Sequence, residues 1–190
     1  MADHPFGSPP RPGDALAKAA AALGPAFVLD QDPAHNRVHL RSADPDLPDV
    51  DLSLVRDRRL FSRTFPLVVE AAVVGSGPER QLELGLHRSR LRRETSLRSA
   101  DEPSPEAEAW ARRFADQGLL RGASTMTGVQ DLRLSWEPMR SRWSLRLQTL
   151  AGALIGTAPS SAIAVGLEPE DVAGLLEVLR ALRRAAFSAP

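Results

Sequence analysis

The sequence predicts an α+β fold, an antiparallel sheet with helices packed on one of its faces. Three observations lead to this prediction. The predicted elements follow the order helix, strands, helix, strands, helix along the 190 residues. Adjacent strands are separated by short turns, which favour antiparallel pairing. The predicted helices are apolar along one side only, so they would cover one side of a sheet.

The first half begins with one helix and continues with strands. Asp14 is placed to cap a helix that ends at Gly24-Pro25. The strands are predicted from short apolar or alternating runs between turn residues. They cover Ala26–Leu29, Arg37–Arg41, Val50–Val55, Leu60–Phe65, Leu67–Val74 and a strand that starts at Gln81.

The second half contains two clear helix starts. Ser104 can cap a helix whose first position is Pro105, followed by an acid near the positive end of the helix dipole. The final helix begins at Pro169, has acids in its first turn and arginines in its last, and has one apolar stripe. The stripe comprises Val172, Leu175, Leu176, Leu179 and Leu182.

An uncharged run, Leu147–Leu167, has two interpretations. It is long enough to span a membrane. However, the residues APSS near its centre predict a turn. We therefore predict two short buried strands, Thr149–Ile155 and Ala162–Leu167, in place of a membrane span.

The domain prediction is a flexible Pro-rich tail, residues 1–13, followed by a single α+β domain, residues 14–187. Pro9 and Pro12 have the PxxP spacing of SH3 ligands, and an unstructured leader is the alternative. The length suits one ordinary domain. The first residues lack the basic start and apolar run of a signal peptide.

The composition narrows the classes of partner. Hydrophobic residues make up 43% and charged residues 25%, as in ordinary globular domains. Basic and acidic residues number 24 each, so nucleic acid or anionic lipid would need a local patch. The absence of cysteine excludes disulfides and thiolate chemistry. We expect a cytoplasmic protein, and the arginine-rich, lysine-poor usage suggests a bacterial one.

A hairpin is predicted around the loop EPMRSR, with Trp136 facing Trp143. Side chains then alternate between two faces. The leucines share the tryptophan face, and the opposite face pairs Ser135 with Ser144 and Arg133 with Arg146. Two facing arginines repel each other unless an acid or an anion lies between them. The pair is therefore either an anion site or two arginines that are paired with neighbouring acids or extend into water.

The segment HRSRLRRETSLR, residues 87–98, is the second candidate anion site, because a strand that leaves the core and becomes basic can follow phosphates. A solvated strand end is the alternative. The complete set of candidate anion-binding residues is Arg88, Arg90, Arg92, Arg93, Arg133 and Arg146.

We predict no catalytic residue, no metal and no cofactor. The acidic segment that contains Asp44, Asp46, Asp49 and Asp51 lacks the glycine and glutamate of an EF-hand loop and is predicted to be a solvated turn. His35 and His39 lie around a predicted strand and do not form an HExxH motif. There is no Walker loop, no GxGxxG and no GxSxG motif.

The last third, with RLSWEPMRSRWSLRL, APSS and LEPEDVAGLLEVLRAL, resembles uncharacterised bacterial families, and this resemblance implies no activity. The order of elements is similar to small secretion-chaperone-type folds, which often dimerise. Both halves begin with a helix followed by strands, which suggests an internal duplication.

We predict a non-catalytic binding or protein-interaction domain, with a protein, a small ligand or a second copy of the chain as partner. One alternative is an anion-directed binder that uses the arginine patch to bind nucleic acid or anionic lipid. The other is an enzyme of unrecognised type.

Overall fold

A computed structural model describes residues 11–30, 37–56, 63–88, 95–101, 103–158 and 161–187. Within these ranges the chain forms four α-helices and nine strands. The helices are α1 Pro12–Leu23, α2 Pro105–Asp116, α3 Leu119–Thr125 and α4 Pro169–Phe187. The strands are β1 Phe27–Leu29, β2 Arg37–Ser42, β3 Val50–Leu54, β4 Arg63–Val74, β5 Leu82–Arg88, β6 Thr95–Ser99, β7 Val129–Glu137, β8 Arg142–Ala158 and β9 Ser161–Ala164.

The strands form one antiparallel sheet, and the predicted α+β class is confirmed. The order across the sheet is β1-β2-β3-β4-β8-β7-β5-β6, with β9 paired to the far end of β8. The first half of the sheet is a simple meander, whereas in the second half the hairpin β5–β6 meets β7 through β5. The two halves of the sheet are therefore connected differently.

The two faces of the sheet differ sharply in composition. One row of paired residues that faces the helices is Val38, Leu52, Val69, Leu147 and Leu132, all of them buried. The residues one step along the same strands face the other way and form the row His39, Asp51, Glu70, Arg146 and Arg133. This alternation follows from the two-residue period of a strand.

The predicted hairpin register is confirmed at every pair. Trp136 faces Trp143, and Ser135 faces Ser144. The loop of this hairpin is a short 3-10 turn, Pro138–Arg140, that ends at Ser141 with a φ of 45°. The register places both tryptophans on the covered face and both serines on the open one.

An aromatic cluster joins the hairpin to helix α2. The ring centroid of Trp143 lies 5.1 Å from that of Trp110, 4.8 Å from that of Phe114 and 5.3 Å from that of Trp136. The indole of Trp143 donates to the carbonyl of Ser76 at 2.9 Å. A buried indole N–H needs such a partner, and the carbonyl of Pro78 serves Trp136 in the same way at 2.8 Å.

The helix starts agree closely with prediction. The hydroxyl of Ser104 accepts from the backbone N–H of Ala107 at 3.1 Å, as a cap should. Helix α1 begins at Pro12 with Arg11 as its N-cap, three residues before Asp14, so the prediction of Asp14 as the cap was wrong. Asp14 acts from inside this helix, where its carboxylate accepts from the backbone N–H of Arg11 at 3.1 Å.

Helix α3 has no counterpart in the predicted elements. It has only seven residues and includes Gly122, so its local helix propensity is low. It lies against α4, where a Cβ atom on Gly122 would lie 2.6 Å from the carbonyl oxygen of Gly174. The absence of side chains at both positions lets the two helix backbones touch, and this packing holds α3 in place.

Two predicted strand divisions were wrong. The predicted strands Leu60–Phe65 and Leu67–Val74 are separate in the prediction, but strand β4 is continuous through Pro66. At Pro66 the pairing with β8 shifts register and then continues. Strand β8 joins the predicted hairpin strand that contains Trp143 to the predicted strand Thr149–Ile155, and it extends over 17 residues. It includes Gly152 at a φ of 77°, a conformation that glycine adopts without strain.

The uncharged run forms the second half of β8 and the strand β9. These two pieces pair as antiparallel neighbours, with Ile155 opposite Ile163. Strand β9 is not an inner strand, because Ile163 is exposed. None of the described helices is long and apolar enough to cross a membrane.

Candidate functional site

The open face of the sheet contains two adjoining grooves. No residue of a described helix lines either groove. The grooves share Arg133 and Arg146, which lie opposite each other at the centre of the sheet. The facing arginines predicted from sequence therefore lie at the junction of the two grooves.

We call the first one the balanced groove, because four arginines and four carboxylates are present among the described residues of its lining. Its volume is about 530 Å³. The arginines are Arg37, Arg133, Arg142 and Arg146. The carboxylates are Asp49, Asp51, Glu70 and Glu83.

The acidic wall of the balanced groove is held by hydrogen bonds between β2 and β3. Asp51 accepts from Arg37 at 3.0 Å and lies 3.1 Å from Nδ1 of His39. Partial burial favours the neutral carboxyl of Asp51, but these hydrogen bonds outweigh it. The pKa of Asp51 therefore lies below its ordinary value, and the carboxylate is charged at neutral pH.

The floor of the balanced groove is built from small side chains on three neighbouring strands. Ala72, Ser144 and Ser135 pair in register across β4, β8 and β7. Beside this floor, Arg142 donates to Glu137 at 3.0 Å. That hydrogen bond lowers the pKa of Glu137, and the charges of Arg142 and Arg140 act in the same direction.

We call the second one the basic groove, which is lined by Arg56, Arg88, Arg133 and Arg146. Its volume is about 840 Å³. Asp131 is the sole carboxylate among the described residues of its lining, which also includes the amides of Gln130 and Gln148. Charge is therefore unequal between the two grooves, and positive charge is in excess in this one.

Three of the six candidate anion-binding residues meet in the basic groove. Arg88 lies at the end of β5 and donates to the carbonyl of Val129. Arg133 and Arg146 join it from β7 and β8. The other candidates, Arg90, Arg92 and Arg93, lie outside the described residues.

Neighbouring acids approach the two facing arginines unequally. Arg133 donates to Asp131 at 2.9 Å and lies 3.6 Å from Glu83. For Arg146 the nearest carboxylate oxygen among the described residues is that of Glu70, at 3.8 Å. This distance is beyond hydrogen-bond range, so Arg133 is neutralised more completely than Arg146.

Arg56 was missed by the sequence analysis. It lies directly after β3, whereas the other arginines of the basic groove come from β5, β7 and β8. The pairing of β3 with β4 and of β4 with β8 places it there. No local pattern in the sequence indicates these long-range pairings.

The acidic segment makes structural contacts, and two of its acids, Asp49 and Asp51, also line the balanced groove. Asp44 binds Arg180 of helix α4 at 3.2 Å and accepts from the backbone of Asp46 at 2.8 Å. Asp49 accepts from the backbone of Ser42 at 2.8 Å. In the described part of the chain, no group of three or more acidic or histidine side chains is arranged to hold a metal ion.

Comparison with family models, with curated proteins and with solved structures finds no match to this chain.

Proposed function

We propose that this chain is a non-catalytic binding domain and that the open face of its sheet is the contact surface. The observation that supports the proposal is the pair of adjoining grooves, which lie on the one face that no described helix covers. A sheet normally buries one face against its helices. The second face is then available to a partner.

The geometry of the polar side chains supports binding in preference to catalysis. His39 and Asp51 are hydrogen-bonded to each other on β2 and β3. The nearest hydroxyl in the same groove, that of Ser144, is three strands away from His39, a separation of about 14 Å at the usual strand spacing. Nucleophilic catalysis requires a nucleophile and its base within hydrogen-bond reach, and Ser144 and His39 are too far apart for this.

The lining also indicates what kind of partner would fit. The balanced groove offers carboxylates and guanidinium groups side by side, so it suits a polar partner with charges of both signs. A protein segment has this chemistry. The cytoplasmic bacterial setting predicted from the composition is compatible with such a partner and stays a prediction.

The test blocks the open face with one bulky side chain. Ala72 lies exposed on the floor of the balanced groove, and the Ala72→Trp change would fill it. Ala109 is exposed on helix α2, so Ala109→Trp is a matched control on the covered side of the sheet. Wild type and both variants are immobilised and used to capture proteins and small molecules from a lysate of the source cells.

We expect Ala72→Trp to lose the captured species and Ala109→Trp to retain them. A thermal melt first checks that each variant unfolds at the same temperature as wild type. Equal capture by the two variants would place the contact surface elsewhere. Turnover of a captured small molecule by the wild type would contradict the non-catalytic part of the proposal.

A second candidate function, anion-directed binding, is favoured by the excess of arginine in the basic groove. The balanced groove next to it argues against a long polyanion, because four carboxylates line that path. The two observations together favour a compact anion over a long polyanion.

A further inference from the structure

Four guanidinium groups and one carboxylate line the basic groove among the described residues. That carboxylate, Asp131, is already engaged by Arg133 at 2.9 Å. The arginine charge that remains is thus not balanced within the groove. Positive charge in a concave surface attracts anions more strongly than the same charge on a convex surface.

Arg146 is open to a ligand on the groove side. It lies directly opposite Arg133, and facing like charges destabilise a sheet pair. The closest carboxylate in the described part of the chain, that of Glu70, is beyond hydrogen-bond distance, and the side chain of Arg146 is 50% exposed. An anion placed between the two guanidinium groups would remove the repulsion and would receive charge-assisted hydrogen bonds.

The neighbouring groove limits the size of that anion. Glu70 and Glu83 approach the outer sides of Arg146 and Arg133 at 3.8 Å and 3.6 Å. A second negative group bound one strand spacing away would meet these carboxylates and be repelled. The geometry therefore favours one compact anionic group over an extended chain of them.

We infer that the basic groove binds a single phosphate or carboxylate group of a small ligand, with Arg146 and Arg133 as its main contacts and Arg56 at the rim. This inference depends on the proposed function, because it assigns a ligand class to the same open face. Nucleic acid is the less favourable occupant, because further phosphates laid across the balanced groove would meet its carboxylates.

The probes are inorganic phosphate and acetate, each a single anionic group, titrated into the full chain by calorimetry at low ionic strength. Tighter binding of inorganic phosphate would identify phosphate as the group recognised, and tighter binding of acetate would identify carboxylate. Because the contacts are half-exposed, added salt should weaken the binding of either probe.

The diagnostic variant is Arg146→Gln, and the matched control is Arg112→Gln, an exposed arginine on helix α2. We expect the first to lower the association constant about tenfold or more, the usual loss for a charge-assisted hydrogen bond. The control should bind as wild type does. Arg146 is exposed, so the variant should fold, which a thermal melt checks before titration.

An oligothymidylate of about 15 nucleotides is the third probe, because its many phosphates release counterions on binding. We expect it to bind no more tightly than inorganic phosphate and with no steeper dependence on salt. Much tighter binding, lost steeply as salt is added, would overturn the single-anion inference.

Failure of the inference can be told apart from failure of the proposed function. If neither inorganic phosphate nor acetate binds, or if Arg146→Gln binds them as wild type does, the inference is wrong. The proposed function would still stand if Ala72→Trp abolished partner capture. Both fail if Ala72→Trp also leaves capture unchanged.

Discussion

The hairpin β7–β8 has two faces that share one backbone and one register but have opposite chemistry. On the covered face, Trp136, Trp143 and their neighbouring leucines are almost completely buried. On the open face, the side chain of Arg133 is 59% exposed and that of Arg146 is 50% exposed. The covered face supplies apolar area for stability, whereas the exposed charges of the open face contribute little to it. The same strands can therefore keep the fold stable while presenting a polar surface for binding.

The largest expected effect on stability comes from a substitution on the covered face. Trp143 is fully buried and contacts three other aromatic rings. Trp143→Ala should lower the free energy of unfolding by about 3–5 kcal/mol, measured by urea denaturation. The control is Ser144→Ala, the next residue on the open face, for which we expect a change within about 0.5 kcal/mol. Similar losses for both would refute the division between the faces.

The next effect concerns a buried carboxylate on the covered side. Asp171 is 2% exposed and accepts from the backbone N–H groups of Thr127 at 2.6 Å and Glu168 at 3.1 Å. Asp171→Ala would leave both donors without this partner and should cost about 1–3 kcal/mol. Glu170→Ala, an exposed acid in the same helical turn, should cost no more than about 1 kcal/mol. Equal losses would show that the helix dipole, and not the buried hydrogen bonds, sets the cost.

A smaller effect should appear on the open face as the pH falls. The pKa of Asp51 lies below its ordinary value in the folded state. The unfolded state therefore takes up this proton first, so the stabilisation is complete above about pH 4 and is lost as the pH falls further. Half-exposed ion pairs contribute about 1 kcal/mol or less, which bounds the loss.

The measurement for Asp51 is urea denaturation between pH 7 and pH 3. Asp51→Asn should flatten the acid limb of the stability profile. Asp101→Asn, at an exposed position outside the sheet, should leave it as in wild type. An acid limb that is unchanged in Asp51→Asn would assign the acid sensitivity to other carboxylates.

The smallest expected effect is that of Arg146→Gln on stability. Removal of one of two facing charges relieves repulsion but also removes the attraction to Glu70 at 3.8 Å. These contributions oppose each other at a half-exposed site, so the free energy of unfolding should change by about 0.5 kcal/mol or less. A loss of about 2 kcal/mol or more would mean that this arginine holds the sheet together.

The sequence was most informative where the pattern is local. The alternation around EPMRSR predicted the register of β7 with β8 correctly, because a strand repeats every two residues and a short loop fixes the pairing. Ser104 and Pro105 predicted the start of α2 for a similar reason, since a helix cap involves only the first turn. Each of these features is determined by residues that are near one another in the chain.

The sequence was least informative where distant segments decide the structure. Helix α3 depends on the contact between Gly122 and Gly174, which are 52 positions apart in the chain. Strand β4 continues through Pro66 because β8 pairs with it on both sides of the register shift. In each case a tertiary contact outweighed the local preference for a break.

By itself, then, the sequence determined the α+β class, the hairpin register, two helix starts and the facing arginine pair. Tertiary structure decided which strands are neighbours, and so it brought Arg56, Arg88, Arg133 and Arg146 into one groove. It also decided that the acids of the open face flank the other groove. The physical reason is range, because side-chain periodicity acts over a few residues, whereas the order of strands in a sheet is set by burial of the whole apolar face at once.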